Sequence, residues 1–152
     1  MLAWRNSWMP ELLLCLSLIG CADKGDQPVG SLHPAGTPAS YNYKAFNAGG
    51  ALAVSGTLVL TSSDSGSVSG SWAFVAVLPS EKVGPQVGNG KAAGTMAKSS
   101  VTVNLNPGWA DNNVILQGTV ASDRITGRWS WISFIGPTAE GAFEAIRVPS
   151  IN

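Results

Sequence analysis

The chain has 152 residues, which fits one globular domain with a short appendage. Hydrophobic residues make up 45% of it and charged residues 12%, and this charged fraction is well below that of a typical soluble protein. Nine lysine and arginine residues balance nine aspartate and glutamate residues, and no segment concentrates the basic ones. The sequence therefore lacks the basic patch that nucleic-acid binding requires, and we exclude that class of partner. The 18 glycines and the absence of a long helical apolar period predict an all-β protein.

The first residues have the pattern of a targeting segment. Arg5 precedes an apolar run at residues 12–19, which is too short to cross a bilayer core of about 30 Å. The run ends in Leu18-Ile19-Gly20-Cys21, which resembles the lipobox of bacterial lipoproteins. The resemblance implies a signal peptide at residues 1–20, which is removed, and a lipidated Cys21 as the first mature residue. The alternative is an ordinary signal peptide with an incidental cysteine.

Lipidation would set the cellular address of the protein. Each buried CH2 of an acyl chain such as palmitate contributes about 0.8 kcal/mol, so several chains on Cys21 would anchor it stably to a membrane. In that family an aspartate directly after the cysteine retains the protein at the inner membrane, and Ala22 stands there instead. The resemblance thus implies a lipid anchor in the outer membrane of the cell envelope, facing the periplasm.

Residues 21–40 are rich in proline and glycine and predict a flexible tether, which leaves residues 41–152 as the barrel domain. His33 lies in this tether without a cluster of Cys, Asp or Glu nearby. We therefore expect His33 to be solvated and not to bind a metal.

Short strands follow one another through the remaining chain. They are predicted at residues 41–46, 52–61, 68–78, 91–98, 101–106, 113–121, 124–134 and 138–148, with Gly136 and Pro137 ending the seventh. Sequential strands with short connections predict an antiparallel up-and-down meander that closes into a roughly eight-stranded β-barrel.

Alternate residues in these strands separate a dry face from a wet one. The predicted core includes Val54, Gly56, Leu58, Leu60, Val68, Gly70, Trp72, Phe74, Val101, Val103, Leu105, Val114, Leu116, Gly118, Val120, Ile125, Gly127, Trp129, Trp131, Gly141 and Phe143. A glycine recurs on the dry face near the middle of the strands, where a bulky ring can lie over the missing side chain. We expect a mostly solid core with at best a shallow pocket at one mouth.

Two motifs, Gly70-Ser71-Trp72 and Gly127-Arg128-Trp129, together with Arg147 in the last strand, resemble the calycin superfamily, which includes lipocalins and avidins. The resemblance implies a small meander barrel in which the arginine closes one end by packing on a tryptophan. We accordingly assign barrel closure to Trp72, Trp129, Trp131 and Arg147. The resemblance is architectural, and no ligand residues are carried over from it.

Catalytic chemistry has little support in the sequence. The predicted mature chain after Cys21 has no free cysteine nucleophile and no core histidine, and Glu140 and Glu144 on one strand lie roughly 13 Å apart, too far to act as a pair. The run Asp111-Asn112-Asn113 lacks the spacing of an EF-hand and is typical of a polar turn. We predict no enzyme activity, no catalytic residues, no metal site and no cofactor.

Two loops are candidates for recognition. The connection at residues 79–90 is long for a meander, and its Val83, Gln86 and Val87 are candidate ligand or partner contacts, although the loop could equally be a simple lid. Trp109 either is exposed for a partner, a ligand or a membrane surface, or folds back as a plug on the barrel end.

A further set of large apolar residues lies on the nominally wet face: Val75, Val77, Ile132, Phe134 and Ile146. The set is either a partner patch or the sign of a bulge that reverses the register. Two functions remain open. The favoured one is a non-catalytic accessory subunit that docks on an envelope or membrane complex, and the alternative is a calycin-like binding protein for a small apolar or amphiphilic ligand at the barrel mouth.

Overall fold

The computed structural model of the protein describes residue 32, residues 34–79 and residues 82–149. The strands within these residues are β1 (Ala39–Phe46), β2 (Leu52–Ser62), β3 (Ser67–Ala76), β4 (Gly88–Ala97), β5 (Ser100–Asn104), β6 (Asn113–Ala121), β7 (Arg124–Ser133) and β8 (Gly136–Arg147). The predicted signal peptide, Cys21 and His33 lie outside the described residues.

Each strand pairs antiparallel with the next, and β8 pairs with β1 to close the barrel, so the predicted all-β meander is confirmed. All the predicted strands are present, with ends that differ by a few residues. The prediction that Gly136 and Pro137 end strand seven is wrong, because both residues belong to β8. Pro137 pairs with Ile132 beside a shift in register, a place in a sheet where the missing N–H of proline is tolerated.

The barrel interior collects alternate side chains from every strand. The predicted core is confirmed, as shown by the burial of Val54, Leu58, Val68, Trp72, Phe74, Val103, Leu116, Ile125, Trp129 and Phe143. Tyr41 and Tyr43 of β1 are also buried, although the sequence pattern did not place them in the core. Their burial depends on the pairing of β1 with β8, which joins the two ends of the chain.

Four aromatic rings cross the interior in a row. Tyr43 stacks on Phe74 with 4.2 Å between ring centroids and on Phe143 with 5.9 Å, while Trp72 lies 5.2 Å from Phe74. Offset and stacked rings at these separations contribute about 0.5–1.5 kcal/mol per pair beyond their burial. The interior is therefore filled by side chains, as predicted.

The repeated glycines make room for these rings. A Cβ at Gly118 would lie 2.9 Å from Cζ of Phe143, and a Cβ at Gly141 would lie 2.8 Å from Nε1 of Trp129. Both distances are shorter than a van der Waals contact, so the rings can occupy these positions only over glycine. The expected packing role of the glycine motif is confirmed at these two sites.

The barrel has two unlike ends. We call the end with the β1–β2, β3–β4, β5–β6 and β7–β8 loops the mouth, and the opposite end the base. At the base the Tyr41 hydroxyl donates a hydrogen bond to the Leu32 carbonyl at 3.1 Å, and the Gly36 N–H donates to the Ser62 carbonyl at 2.7 Å. Leu32 is buried, so the barrel domain includes this residue of the segment predicted as the tether.

Candidate functional site

The β3–β4 loop lies across the mouth as a lid. Val83 and Gln86 of this loop are buried, and Gly84 lies against the indole of Trp131 in β7, on the far side of the barrel. Gly84 has a φ of +65°, and a Cβ there would overlap the Trp131 ring. The sequence left two interpretations open for this loop, a ligand or partner contact and a simple lid. The burial of Val83 and Gln86 fits the lid, whereas Val87 is exposed.

Gln86 extends from the lid into the core. Its side chain is 0% exposed, its Oε1 accepts a hydrogen bond from the Tyr43 hydroxyl at 3.2 Å, and its Nε2 donates to the Val83 carbonyl at 2.8 Å. Burial raises the pKa of Tyr43 well above its usual range, so the hydroxyl stays protonated and able to donate. Within the described residues, the lid and the ring stack together fill the barrel interior below the mouth.

The barrel wall is incomplete next to the mouth. β5 pairs only with residues 93–97 of β4. Residues 88–92 of β4 continue toward the mouth without a partner in β5. The indole of Trp72 fills the gap from inside, because Gly90 has no side chain there. Trp72 Nε1 donates to the Leu105 carbonyl at 2.7 Å, which links β3 to the start of the β5–β6 loop across this gap.

A pocket of about 370 Å³ lies at this gap, between the mouth end of β4, the lid and the β5–β6 loop. Its lining consists of Trp72, Pro85, Val87, Asn89, Gly90, Lys91, Leu105, Asn106, Pro107, Gly108 and Trp109. Trp109 is 61% exposed, so it does not fold back as a plug on the barrel end. Val87 and Trp109 are the predicted candidates that this pocket brings together.

Hydrogen bonds brace the β5–β6 loop that carries Trp109. Asn113 Nδ2 donates to the Trp109 carbonyl at 3.3 Å, Asn104 Nδ2 donates to Asn113 Oδ1 at 3.0 Å, and Trp131 Nε1 donates to Asn112 Oδ1. The side-chain amides of this polar turn therefore hold the loop in place, as donors and as acceptors. Among the described residues, no group of three His, Cys, Asp or Glu side chains is placed to hold a metal ion.

The other predicted closure residues lie at different ends of the barrel. Trp129 is buried and its Nε1 donates to the Phe46 carbonyl at 2.8 Å near the mouth. Trp131 contacts Gly84 of the lid and donates to Asn112 of the β5–β6 loop. Arg147 lies at the base opposite Tyr41, where its charge partly offsets the rise that burial causes in the pKa of Tyr41. Trp129 pairs with Gly141, which lies six residues before Arg147 in β8. Six residues of a strand span roughly 20 Å, so the register does not place Arg147 against this tryptophan.

The apolar residues of the outer face do not form one patch. Val75 and Val77 lie at the end of β3, whereas Ile132 and Phe134 lie at the end of β7, on the opposite side of the eight-stranded barrel, and Ile146 lies near the base. The single-patch prediction is therefore wrong. The alternative of a bulge is met in part, because the register shifts between Trp131 and Ile132. The shift does not reverse the faces, since Val75, Val77, Ile132 and Phe134 are all exposed.

Phe134 and Ile135 form the two-residue turn between β7 and β8 and are 91% and 89% exposed. The sequence pattern placed Phe134 in a strand and missed this turn, because two-residue hairpin turns normally carry Gly, Asn or Asp. The described part of the chain contains no helix that is long and apolar enough to cross a membrane.

No protein-family model and no curated protein matches the chain. Among solved structures, the crystal structure of rhizavidin superposes with a TM-score of 0.52 at 17% identity, over 78% of this chain and 87% of rhizavidin. A crystal structure of a rhizavidin–biotin complex superposes with a TM-score of 0.49 at 16% identity, over 79% of this chain and 99% of that one. At such identities the similarity concerns the fold alone, which is a small closed barrel of eight antiparallel strands.

Proposed function

We propose that this protein is a non-catalytic barrel that binds one small apolar or amphiphilic molecule in the mouth pocket beside Trp109. The pocket itself carries the proposal. Its volume of about 370 Å³ lies within the range of about 300–1,000 Å³ that is usual for small-molecule sites. Rhizavidin has been crystallised with biotin, but the proposal for this chain rests on the pocket and not on that ligand.

The composition of the lining fits such a ligand. Trp109, Pro85 and Pro107 provide apolar walls, and Asn89 and Lys91 add polar groups at the edge. Apolar walls together with a few placed polar groups are the usual arrangement for holding and orienting a small molecule. A bound ligand would cover the indole of Trp109, which would account for its exposure.

Native mass spectrometry of the purified protein and titration with the dye anilinonaphthalene sulfonate test this proposal. We expect a retained small molecule or saturable dye binding, and Trp109→Ala should weaken dye binding by about tenfold, the equivalent of about 1.4 kcal/mol. Phe134→Ala is the matched control, because Phe134 is exposed at the mouth but does not line the pocket. Equal effects of the two substitutions would contradict the assignment of the site.

A second function is favoured by the Phe134–Ile135 turn. We propose that this turn docks on an envelope or membrane complex, because two almost fully exposed large apolar side chains are disfavoured in water unless a partner covers them. A photo-crosslinking amino acid at position 134 should yield a discrete adduct with one protein in cell envelopes. The same probe at Val75, on the opposite side of the barrel, is the control, and identical adducts from both positions would refute docking through the turn.

We also propose that residues 1–20 are removed and that Cys21 carries acyl chains that anchor the protein in the outer membrane, facing the periplasm. The lipobox Leu18-Ile19-Gly20-Cys21 supports the anchor. Leu32 lies at the base, so a tether from Cys21 would reach the barrel at the end opposite the pocket. Cys21→Ser should move the protein from the membrane fraction to the soluble fraction and remove the acyl mass. Unchanged membrane association without an acyl mass would contradict the anchor.

A further inference from the structure

We infer that the mouth pocket selects an apolar monocarboxylate, with Lys91 binding the negative charge of the ligand. This inference rests on the proposed ligand-binding function and specifies the chemical class of the ligand. It follows from the charge of the lining, from the hydrogen-bond donors that remain free in it and from its size.

The charge of the pocket is positive. Among the described residues that line it, Lys91 carries a charge and none carries a carboxylate. The ion pairs of the described residues join Lys44 and Arg124 to Glu144 and a further arginine to Glu140, and Lys91 takes part in none of them. The ammonium group of Lys91 is therefore available to a ligand anion.

Lys91 and Asn89 provide free hydrogen-bond donors at one edge of the pocket. Trp72 donates its indole N–H to the Leu105 carbonyl, and Asn106 uses one N–H of its side-chain amide on the Pro85 carbonyl at 3.4 Å. The described lining side chains thus offer a ligand the ammonium group of Lys91, the amide of Asn89, the second amide N–H of Asn106 and the indole N–H of Trp109. Lys91 and Asn89 both lie on the mouth end of β4 and can bind the two oxygens of one carboxylate.

The apolar part of the lining comes from the two loops. The exposed indole of Trp109 and Pro107 belong to the β5–β6 loop, and Pro85 belongs to the lid. The volume of about 370 Å³ equals the space of roughly twelve water molecules, which suits one bicyclic aromatic acid or one medium-chain fatty acid. We therefore expect the apolar body to lie on Trp109 and the carboxylate to lie at Lys91.

Isothermal titration calorimetry of the full chain with naphthoate and with the neutral, isosteric naphthamide tests the inference. The acid should bind about fivefold more tightly than the amide, which corresponds to one partly solvated charge contact. Lys91→Met should abolish this preference without weakening the binding of naphthamide, and Lys91→Arg should preserve it. Lys44→Met, which removes the same charge from β1, is the control and should leave the preference intact.

The possible failures are distinguishable. Equal binding of the two probes, or an acid preference that survives Lys91→Met, would overturn the inference and leave the proposed ligand site in place. Absence of binding by both probes, together with no retained molecule in native mass spectrometry, would overturn the proposed function and the inference with it.

Discussion

The buried hydrogen bond between Tyr43 and Gln86 holds the lid in the mouth, and its removal has a calculable cost. In Gln86→Leu the Tyr43 hydroxyl and the Val83 carbonyl stay buried but lose their partner. Each buried polar group left without a partner costs about 1–3 kcal/mol, so we expect the free energy of unfolding to fall by about 2–3 kcal/mol. For a domain of this size that loss lowers Tm by roughly 10 °C.

A double-mutant cycle separates the hydrogen bond from packing. Tyr43→Phe alone leaves Gln86 Oε1 unsatisfied and should cost about 1–2 kcal/mol, whereas the double variant Tyr43→Phe/Gln86→Leu removes both partners. The double variant should therefore be more stable than the sum of the single losses predicts, by about 1–2 kcal/mol.

Urea unfolding followed by tryptophan fluorescence and by circular dichroism provides the free energies for this cycle. Val87→Ala in the same loop is the control and should change stability by less than about 0.5 kcal/mol, since Val87 is exposed. Strictly additive losses, or a loss in Gln86→Leu as small as that of the control, would refute the conclusion that this bond holds the lid.

Two further predictions concern alkaline pH and the lid. Burial raises the pKa values of Tyr41 and Tyr43 above their ordinary value of about 10, so the tyrosines of the unfolded chain ionise first. Their contribution to stability is complete below about pH 10 and is lost above it by up to about 1.4 kcal/mol per pH unit for each tyrosine. The free energy of unfolding, measured with urea between about pH 9.5 and 11.5, should fall with this slope, and Tyr43→Phe should reduce the slope by about half. An unchanged slope in this variant would contradict the buried, neutral state of Tyr43. Gly84→Ala should cost about 2–3 kcal/mol, because it combines a positive φ with overlap on the Trp131 ring. The matched control, Gly50→Ala, has φ +82° with nothing within 4 Å of its Cβ and should cost only about 1 kcal/mol, so equal losses of Tm would show that the lid does not rest on Trp131.

The sequence alone was sufficient to predict the barrel and most of its core. Alternation of apolar and polar residues is a local property of a strand, so the inward set that includes Leu58, Trp72 and Ile125 could be identified before any pairing was known. Short connections between consecutive strands then predicted the meander. The glycines under Phe143 and Trp129 were recognisable for the same reason, since they fall on the inward face.

The site could not be predicted in the same way, because it depends on contacts between segments that are distant along the chain. Gln86 is a polar loop residue, and its burial requires the Tyr43 hydroxyl, 43 residues away. The pocket exists because β5 ends before the mouth end of β4, a mismatch in strand length that no local pattern reveals.

Closure of the barrel also decided which exposed residues lie together. Val75 and Ile132 have the same pattern in the sequence, yet the eight-strand order places them on opposite sides of the barrel. Periodicity along one strand determines which face a side chain occupies, and so the sequence by itself determined inside and outside. The position around the barrel and the contacts between its loops depend on all the strands pairing at once, and therefore only the tertiary structure decided the lid, the pocket and the separation of the apolar residues.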